Sequence, residues 1–216
     1  MLQISEITCP PTTIGIDISE QRIKFAKEHY SDDGLHFFQG DIRKPLSDFG
    51  MFDFIWIRFV LEYYRKDSFN IVNKIFEILK PNGIFCLIDL DYNSMTHYGI
   101  PERLNNTIRA LIKTAEKYDN FDPYCGRKLY TYLYDLGCED INVSLNAHHL
   151  IYGKLKFSDQ FNFSKKIEVA SSKSQSHFKE YTNGYRAFVE EFDSAFSNRR
   201  RFTYTPVICA RGRKPY

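Results

Sequence analysis

The chain has 216 residues, a formal net charge of +2 and 16% aromatic residues. This length predicts one domain over residues 1–216, with enough apolar side chains for a sizeable core. The balance of basic and acidic residues argues against a nucleic-acid-binding protein, which would present a strongly basic surface. No apolar run approaches the roughly 18 residues that a membrane span needs, so we expect no membrane association.

The five cysteines are scattered along the chain and show neither CxxC nor Cys/His spacing. Their odd number and their spacing predict free thiols in a reducing compartment and no metal site. The first eleven residues lack the basic start and the apolar core of a signal peptide. The sequence therefore predicts a cytoplasmic protein.

Apolar runs alternate with segments of helical periodicity. The predicted order is a strand over 13–18, a helix capped by Ser19, a strand over 35–39, a central strand over 52–57, a helix from Asp67 or Ser68, a strand over 84–90, two helices, an edge strand over 141–147, two helices and a strand over 202–209. This order is typical of an α/β fold with a doubly wound sheet. Segment 151–201 is long enough to form a helical cap before the last strand.

Local signals predict finer features. Pro81-Asn82-Gly83 predicts a sharp end to the preceding helix. Aromatic residues at helical spacing over 178–196 predict one helix of about six turns. A Ser/Lys-rich stretch over 171–176 indicates a mobile joint. His148 and His149 are adjacent on the predicted edge strand, so we expect them to face opposite ways and not to share a metal ion.

Two acidic residues close two neighbouring strands. Asp17 follows the first predicted strand, and Asp41 follows the second, directly after Gly40. Carboxylates at the carboxyl ends of strands can bind sugar hydroxyls and predict a nucleoside site. Simpler roles stay open, because Asp17 could be a helix N-terminal acid and Asp41 a turn residue.

Further candidates for contact with a substrate follow the strand over 84–90. Asp91 and Tyr92 leave its carboxyl end, where sites collect in open α/β sheets. His97 lies in the next loop, and Arg127 opens a helix whose start could bind an anionic group. Arg199-Arg200-Arg201 is interpreted as a solvated loop rather than as a nucleic-acid patch.

Four segments in this order resemble the class I S-adenosylmethionine-dependent methyltransferases. They are Gly15-Ile16-Asp17-Ile18-Ser19, Gln39-Gly40-Asp41-Ile42, Phe52–Glu62, and Ile78–Gly83 followed by the strand that ends at Leu90. The resemblance covers Ile14 to Asp91 closely and the rest of the chain loosely. It implies a Rossmann-like methyltransferase sheet and S-adenosylmethionine as the cofactor.

The resemblance also implies roles for individual residues, although it assigns no catalytic residue. Asp17 would bind the ribose hydroxyls, and Ile18 would lie against the adenine. Asp41, after Gly40, would accept from the adenine amino group. Ile42 would lie on the other face of the adenine ring. Arg58 and Phe59 would stand beside the methionine end and the incoming substrate.

One part of the family pattern is missing. The family's first strand and its Gly-rich loop have no counterpart before Gly15, which is the first glycine of the chain. Met1–Ile7 cannot supply that strand, because a parallel connection needs about a dozen residues. The sequence thus predicts a sheet that is incomplete at its N-terminal side.

Methyl transfer from S-adenosylmethionine to a small-molecule acceptor is the function that these observations favour, and a homodimer is left open. The alternative is a catalytically inactive remnant of the fold that serves as a binding or partner module. A nicotinamide-dependent oxidoreductase would also place an acid after its second strand. It would not explain Gly40-Asp41 or the turn at Pro81.

Overall fold

The computed structural model of the protein describes residues 12–30, 32–94, 96–171 and 178–216. The described strands and helices, in chain order, are β1 (Thr13–Asp17), α1 (Glu20–His29), β2 (Leu35–Gln39), β3 (Phe52–Arg58), α2 (Ser68–Glu77), β4 (Leu79–Leu90), β5 (His97–Tyr98), α3 (Glu102–Tyr118), α4 (Leu129–Asp135), β6 (Glu139–Tyr152), α5 (Phe157–Ser171), α6 (Gly184–Ser197) and β7 (Phe202–Arg213). Short 3-10 helices lie at 47–49, 61–63 and 126–128. This order confirms the predicted α/β fold.

The strands lie in two separate sheets. β1 pairs with β2 in parallel. In the second sheet β3 pairs with β4 in parallel, and β7 runs antiparallel to β4, β5 and β6. In the described ranges, no strand joins β1 to β3. The resemblance places the family's first strand at this gap.

Apolar side chains fill two clusters. The first joins α2 and α4 to β3 and β4 and contains Ile57, Leu61, Ile71, Val72, Ile75, Leu79, Phe85, Leu87, Leu129 and Leu133. The second lies among α3, α5 and α6, which we call the helical layer, and contains Leu104, Ile108, Leu111, Phe163, Phe188, Phe192 and Phe196. Full burial of each such side chain is worth about 1.5–3 kcal/mol.

The turn at Pro81 lies inside a strand and does not end a helix, so that prediction was wrong. α2 ends at Glu77, and β4 already begins at Leu79, which pairs with Phe52. Asn82 takes a positive φ of 63° and donates its backbone N–H to the carbonyl of Lys214. Pairing with β3 and with the C-terminal residues therefore keeps this turn in the sheet.

The aromatic stretch over 178–196 does not form one helix of six turns. α6 begins only at Gly184, whose φ of 56° favours glycine and interrupts the helical path. Phe178 and Tyr181 precede it in turns and are still buried in the second cluster. Of the predicted joint over 171–176, only Ser171 lies inside the described residues, as the last residue of α5.

β6 confirms the predicted edge strand, but it is longer, and its alternation breaks near the histidines. Ala147 pairs with Pro206 and His149 with Thr205, so His148 is an additional residue in the ladder. Such a bulge bends the strand and re-aims side chains. The two imidazole rings lie 4.3 Å apart, so the expectation that they face opposite sides was wrong.

Candidate functional site

Asp17 lies where β1 ends and α1 begins. Its carboxylate accepts the backbone N–H of Ser19 at 2.8 Å and the guanidinium of Arg22 at 3.3 Å. The Ser19 hydroxyl accepts the backbone N–H of Arg22, which confirms Ser19 as the cap of α1. About a third of the Asp17 side chain is exposed (32%). Because each carboxylate oxygen can accept more than one bond, Asp17 can cap the helix and bind a hydroxyl donor as well.

Asp41 follows β2 and is held by Arg43. The carboxylate accepts the Arg43 backbone N–H at 2.9 Å and its guanidinium at 2.6–3.0 Å. These bonds lower the pKa of Asp41 to about 2. The side chain is therefore ionised at neutral pH and fixed in one orientation.

The ends of β1 and β2 are joined side by side. The backbone N–H of Gly40 donates to the carbonyl of Asp17 at 3.0 Å, and the Gln39 amide donates to the carbonyl of Ile18 at 3.2 Å. Ile18 is exposed, whereas Ile42 packs against the first core cluster. The structure thus places the acids Asp17 and Asp41 at the same edge of one parallel pair.

Arg58 and Phe59 stand at the carboxyl end of β3. Phe59 has a φ of 55°, which is unusual for a bulky residue and is found most often at functional sites. The Arg58 guanidinium lies 4.5 Å from the centre of the Phe59 ring and 5.7 Å from that of Trp56. His148, re-aimed by the bulge in β6, lies 4.7 Å from the Phe59 ring. Sequence reasoning missed His148 here, because the bulge cannot be read from the alternation.

Arg127 and Asp91 form an ion pair at the carboxyl end of β4. Two parallel bonds of 2.9 Å join the guanidinium to the carboxylate. The rings of Tyr92 and Tyr124 each lie 4.7 Å from the guanidinium carbon and meet each other at 87°. The carboxylate and the Tyr92 hydroxyl raise the pKa of Arg127. The structure thus brings together three of the four predicted substrate residues, with Tyr124 added.

Gly126 explains why Arg127 reaches Asp91. A Cβ atom at this position would lie 3.1 Å from the carbonyl oxygens of Asp89 and Leu90. A side chain at this position would push the backbone away from the end of β4 by a few tenths of an ångström, so glycine favours the close approach. The residue that follows is then held beside the strand end.

Comparison with known proteins relates the first part of this site to a family. A family model described as a methyltransferase domain matches residues 4–87, a segment that contains Asp17, Asp41 and Arg58. Residues 4–87 thus have the sequence pattern of a methyltransferase domain. A search of the curated proteins found no significant match.

Solved structures share the fold of this methyltransferase domain. A candidate methyltransferase from Bacillus halodurans has a TM-score of 0.54 and 15% identity over 94% of this chain and 83% of its own. The [4+2]-cyclase SpnF has a TM-score of 0.50 and 15% identity over 95% of this chain and 67% of its own. At such identities the likeness concerns the fold. Together with the family match it confirms the class I, S-adenosylmethionine-dependent methyltransferase resemblance.

Two further carboxyl groups, those of Glu62 and Asp89, are buried near the end of β4. Asp89 accepts the backbone N–H groups of Leu90 at 2.8 Å and Glu62 at 3.2 Å. The Glu62 side chain accepts from the Asn93 amide at 2.8 Å. Burial, and then the charge of Glu62, raise the pKa of Asp89 to about 7. This network ties the loop after β3 to the end of β4 and was missed as a unit, because its members are far apart in sequence.

His97 lies apart from the Arg127 pair, under the helical layer. One ring nitrogen contacts the carbonyl of Ser94 at 2.9 Å and the other the hydroxyl of Thr203 at 3.0 Å. Because a carbonyl only accepts, the first nitrogen carries the proton and the second accepts from Thr203 in the neutral ring. Burial lowers the pKa of His97. The His97 ring contacts the rings of Phe163 and Phe196. Its bond to Thr203 joins β5 to β7.

Arg201 departs most from its sequence interpretation. It was expected in a solvated loop, and its neighbours Arg199 and Arg200 are exposed. Arg201 itself is 1% exposed and is among the largest fully buried side chains. The sequence carries the opposite signal, since Phe202 and Tyr204 alternate with the buried polar residues of this strand and are the more apolar face, yet they are exposed.

Proposed function

We propose that this methyltransferase domain transfers a methyl group from S-adenosylmethionine to a small-molecule acceptor. Methyl transfer is supported by the family match, whereas the nature of the acceptor is our inference. The observation that carries it is the Asp91–Arg127 pair, whose guanidinium lies against the rings of Tyr92 and Tyr124. It offers aromatic walls and a fixed charged pair at the edge of the sheet where ligands bind.

The adenosyl half of the cofactor fits the two acids of the β1–β2 pair. Asp17 has oxygens partly exposed to solvent and would accept the ribose hydroxyls. Asp41 is held ionised and would accept the adenine amino group, with Ile18 and Ile42 as the apolar surfaces. Arg58 and Phe59 would then lie next to the reacting end. The resemblance implies the same six residues.

When bound, S-adenosylmethionine supplies an electrophilic methyl group on a sulfonium, which a nucleophile displaces in line. The contribution of the chain is to hold the acceptor in line with that methyl group, which alone can supply several kcal/mol. Tyr92 and Tyr124 would hold a flat acceptor, and Arg127 would fix its orientation. A fixed orientation matters more here than a strong base, and we assign none.

We also propose that the helical layer of α3, α5 and α6 is the cap over the acceptor. Its helices α5 and α6 lie in the connection between β6 and β7 and place Phe163 and Phe196 against His97, beyond the end of β4. The charge balance of +2 over the chain gives no broad basic surface for a nucleic-acid acceptor. A cap of this kind encloses small acceptors and excludes water.

A cytoplasmic location remains part of the proposal. Cys86, Cys125, Cys138 and Cys209 are free thiols, which fits a reducing compartment. Among the described helices, none has both the length and the apolar character that crossing a membrane requires.

Isothermal titration with S-adenosylhomocysteine tests the cofactor site. We expect binding by the wild type and a loss of at least about tenfold in affinity for Asp17→Asn, because bonds to an ionised acceptor are lost. Asp48→Asn, which alters an exposed acid in the 3-10 helix at 47–49, is the matched control and should bind normally. No heat at hundred-micromolar ligand with the wild type would overturn the proposed function.

A further inference from the structure

A row of buried polar residues lies at the start of β7. Arg201, Thr203 and Thr205 are 1%, 1% and 0% exposed and occupy alternate positions, so they face the same side of the strand. Phe196 of α6 lies 5.9 Å from the guanidinium carbon of Arg201. Phe163 of α5 packs on Phe196 at 5.0 Å. The helical layer therefore covers this row.

Only the middle residue of the row has its polar group bonded. The Thr203 hydroxyl is paired with His97. All three nitrogens of the Arg201 guanidinium and the Thr205 hydroxyl are buried and have no hydrogen-bond partner in the described parts of the chain. Burying an ionised group without a partner is costly, and buried polar groups are as a rule bonded.

Asp159 is an opposite charge that acts on Arg201 without forming an ion pair with it in the described parts of the chain. Burial lowers the pKa of the guanidinium, and the charge of Asp159 on α5 raises it. No ion pair joins the two among the residues that the structure describes, and the Arg201 guanidinium keeps its five donors unused. A planar set of donors in a dry setting matches a carboxylate or a phosphate.

We propose that Arg201 forms an anion-binding site under the helical layer, and that its ligand is the carboxylate or phosphate group of the acceptor. The identity of the ligand rests on the proposed function, whereas anion binding itself does not. Because Arg201 is 1% exposed, the anion reaches it only when α5 or α6 moves away from β7.

The Thr205 end of this row lies beside the candidate acceptor site. The backbone N–H of Asp91 donates to the carbonyl of Pro206, the residue after Thr205. From Thr205 to Arg201 the strand advances four residues, or about 13 Å at 3.3 Å per residue. A small acceptor with its reacting group near Asp91 and its anionic group near Arg201 would span this distance.

The test measures anion binding by the full chain with two probes, sodium benzoate and inorganic phosphate, against sodium chloride at equal ionic strength. Thermal shift and isothermal titration report the affinity of the wild type, Arg201→Met and Arg200→Met. Arg200 is exposed and adjacent, so its variant is the matched control. We expect Arg201→Met to lose at least about tenfold in affinity and Arg200→Met to keep it. Equal affinity in Arg201→Met and the wild type, or no binding by the wild type, would overturn the site.

Asp159→Asn keeps the test decisive if Arg201→Met does not fold. Removing the nearby negative charge should tighten anion binding by about twofold, because the anion and Asp159 repel each other. Unchanged or weaker binding would contradict a ligand at Arg201.

A linkage experiment separates an acceptor group from a free anion. Titration with S-adenosylhomocysteine, with and without benzoate or phosphate, should show a change in affinity of about threefold or more if the anion occupies the acceptor position. Anion binding without such coupling would overturn the assignment to the acceptor. Failure to bind S-adenosylhomocysteine at all would count against the proposed function and not against the anion site.

Discussion

Arg127 meets Asp91 through two parallel bonds of 2.9 Å, and its guanidinium lies 4.7 Å from the ring centres of both Tyr92 and Tyr124. The Asp91 side chain is 10% exposed and the Arg127 side chain is 46% exposed. Bidentate pairing and stacking both depend on the planar fork of arginine, which lysine lacks. The pair is therefore built for orientation more than for charge.

Arg127→Lys should lower stability by about 1 kcal/mol, since it keeps the charge but loses one bond and the stacking on the tyrosines. Urea unfolding measures the change. Arg186→Lys, at an exposed pair with Glu190, is the control and should have almost no effect. The affinity for S-adenosylhomocysteine should stay within about twofold. A large loss of that affinity would place Arg127 on the cofactor side and contradict our assignment to the acceptor.

Arg43 should set the pH range over which Asp41 can act. With Arg43 bonded, the pKa of Asp41 is about 2, so the carboxylate is ionised at pH 4 and above. In Arg43→Ala we expect that pKa to return to about 4. Carbon-detected NMR titration of the carboxyl group measures it. Binding of S-adenosylhomocysteine at pH 4 should then weaken in the variant more than in the wild type. An unchanged midpoint in Arg43→Ala would show that another group lowers the pKa.

Asp89 should make the folded protein less stable as the pH rises. Its folded pKa of about 7 lies above the ordinary value of about 3.9, so the folded state binds the proton more tightly. Its contribution is complete below about pH 4 and is lost as the pH rises to about 7. The loss is at most about 4 kcal/mol.

Comparison with Asp89→Asn isolates this contribution. The difference in unfolding free energy between wild type and variant should shift in favour of the variant from pH 4 to pH 7. Its slope against pH should correspond to at most one proton that the folded wild type binds in excess. Asp48→Asn is again the control, because its acid is exposed. A difference that does not vary with pH would mean that Asp89 keeps an ordinary pKa.

Local signals in the sequence were sufficient for most strands and helices and for the positions of Asp17 and Asp41. Ser19 caps α1, and Asp17 and Asp41 end neighbouring strands, because capping and strand alternation depend on residues close in the chain. The ion pair of Asp91 and Arg127 could be suspected only as two separate candidates. Their meeting depends on how α4 approaches β4, which no short pattern encodes.

The features that sequence reasoning missed arise from tertiary packing. His148 reaches Phe59 because one bulge changes the register of β6. Arg201 is buried because α5 and α6 fold over the start of β7, whereas its two arginine neighbours suggest solvent. The gap between β1 and β3 in the described residues was expected, because the resemblance places the family's first strand there. Because of this gap, the described strands form two separate sheets.

Gly126→Ala should lower the free energy of unfolding, because the added Cβ would crowd the end of β4. The added Cβ would lie 3.1 Å from backbone atoms of Asp89 and Leu90, which cannot move as a flexible side chain can. We expect a loss of about 2–3 kcal/mol, at the upper end for overpacking. Gly137→Ala is the comparison, since nothing lies within 4 Å of its Cβ position and its φ of 71° costs about 1–2 kcal/mol by itself.

A double-mutant cycle shows whether Gly126 acts by positioning Arg127. If the alanine pushes Arg127 away from Asp91, then Arg127→Lys should cost almost nothing further in the Gly126→Ala background. Urea midpoints of the four proteins, with the slope of the transition unchanged, measure the coupling. Additive losses would mean that the ion pair survives the displacement, and that the close approach of Gly126 serves the packing of the 3-10 helix at 126–128 alone.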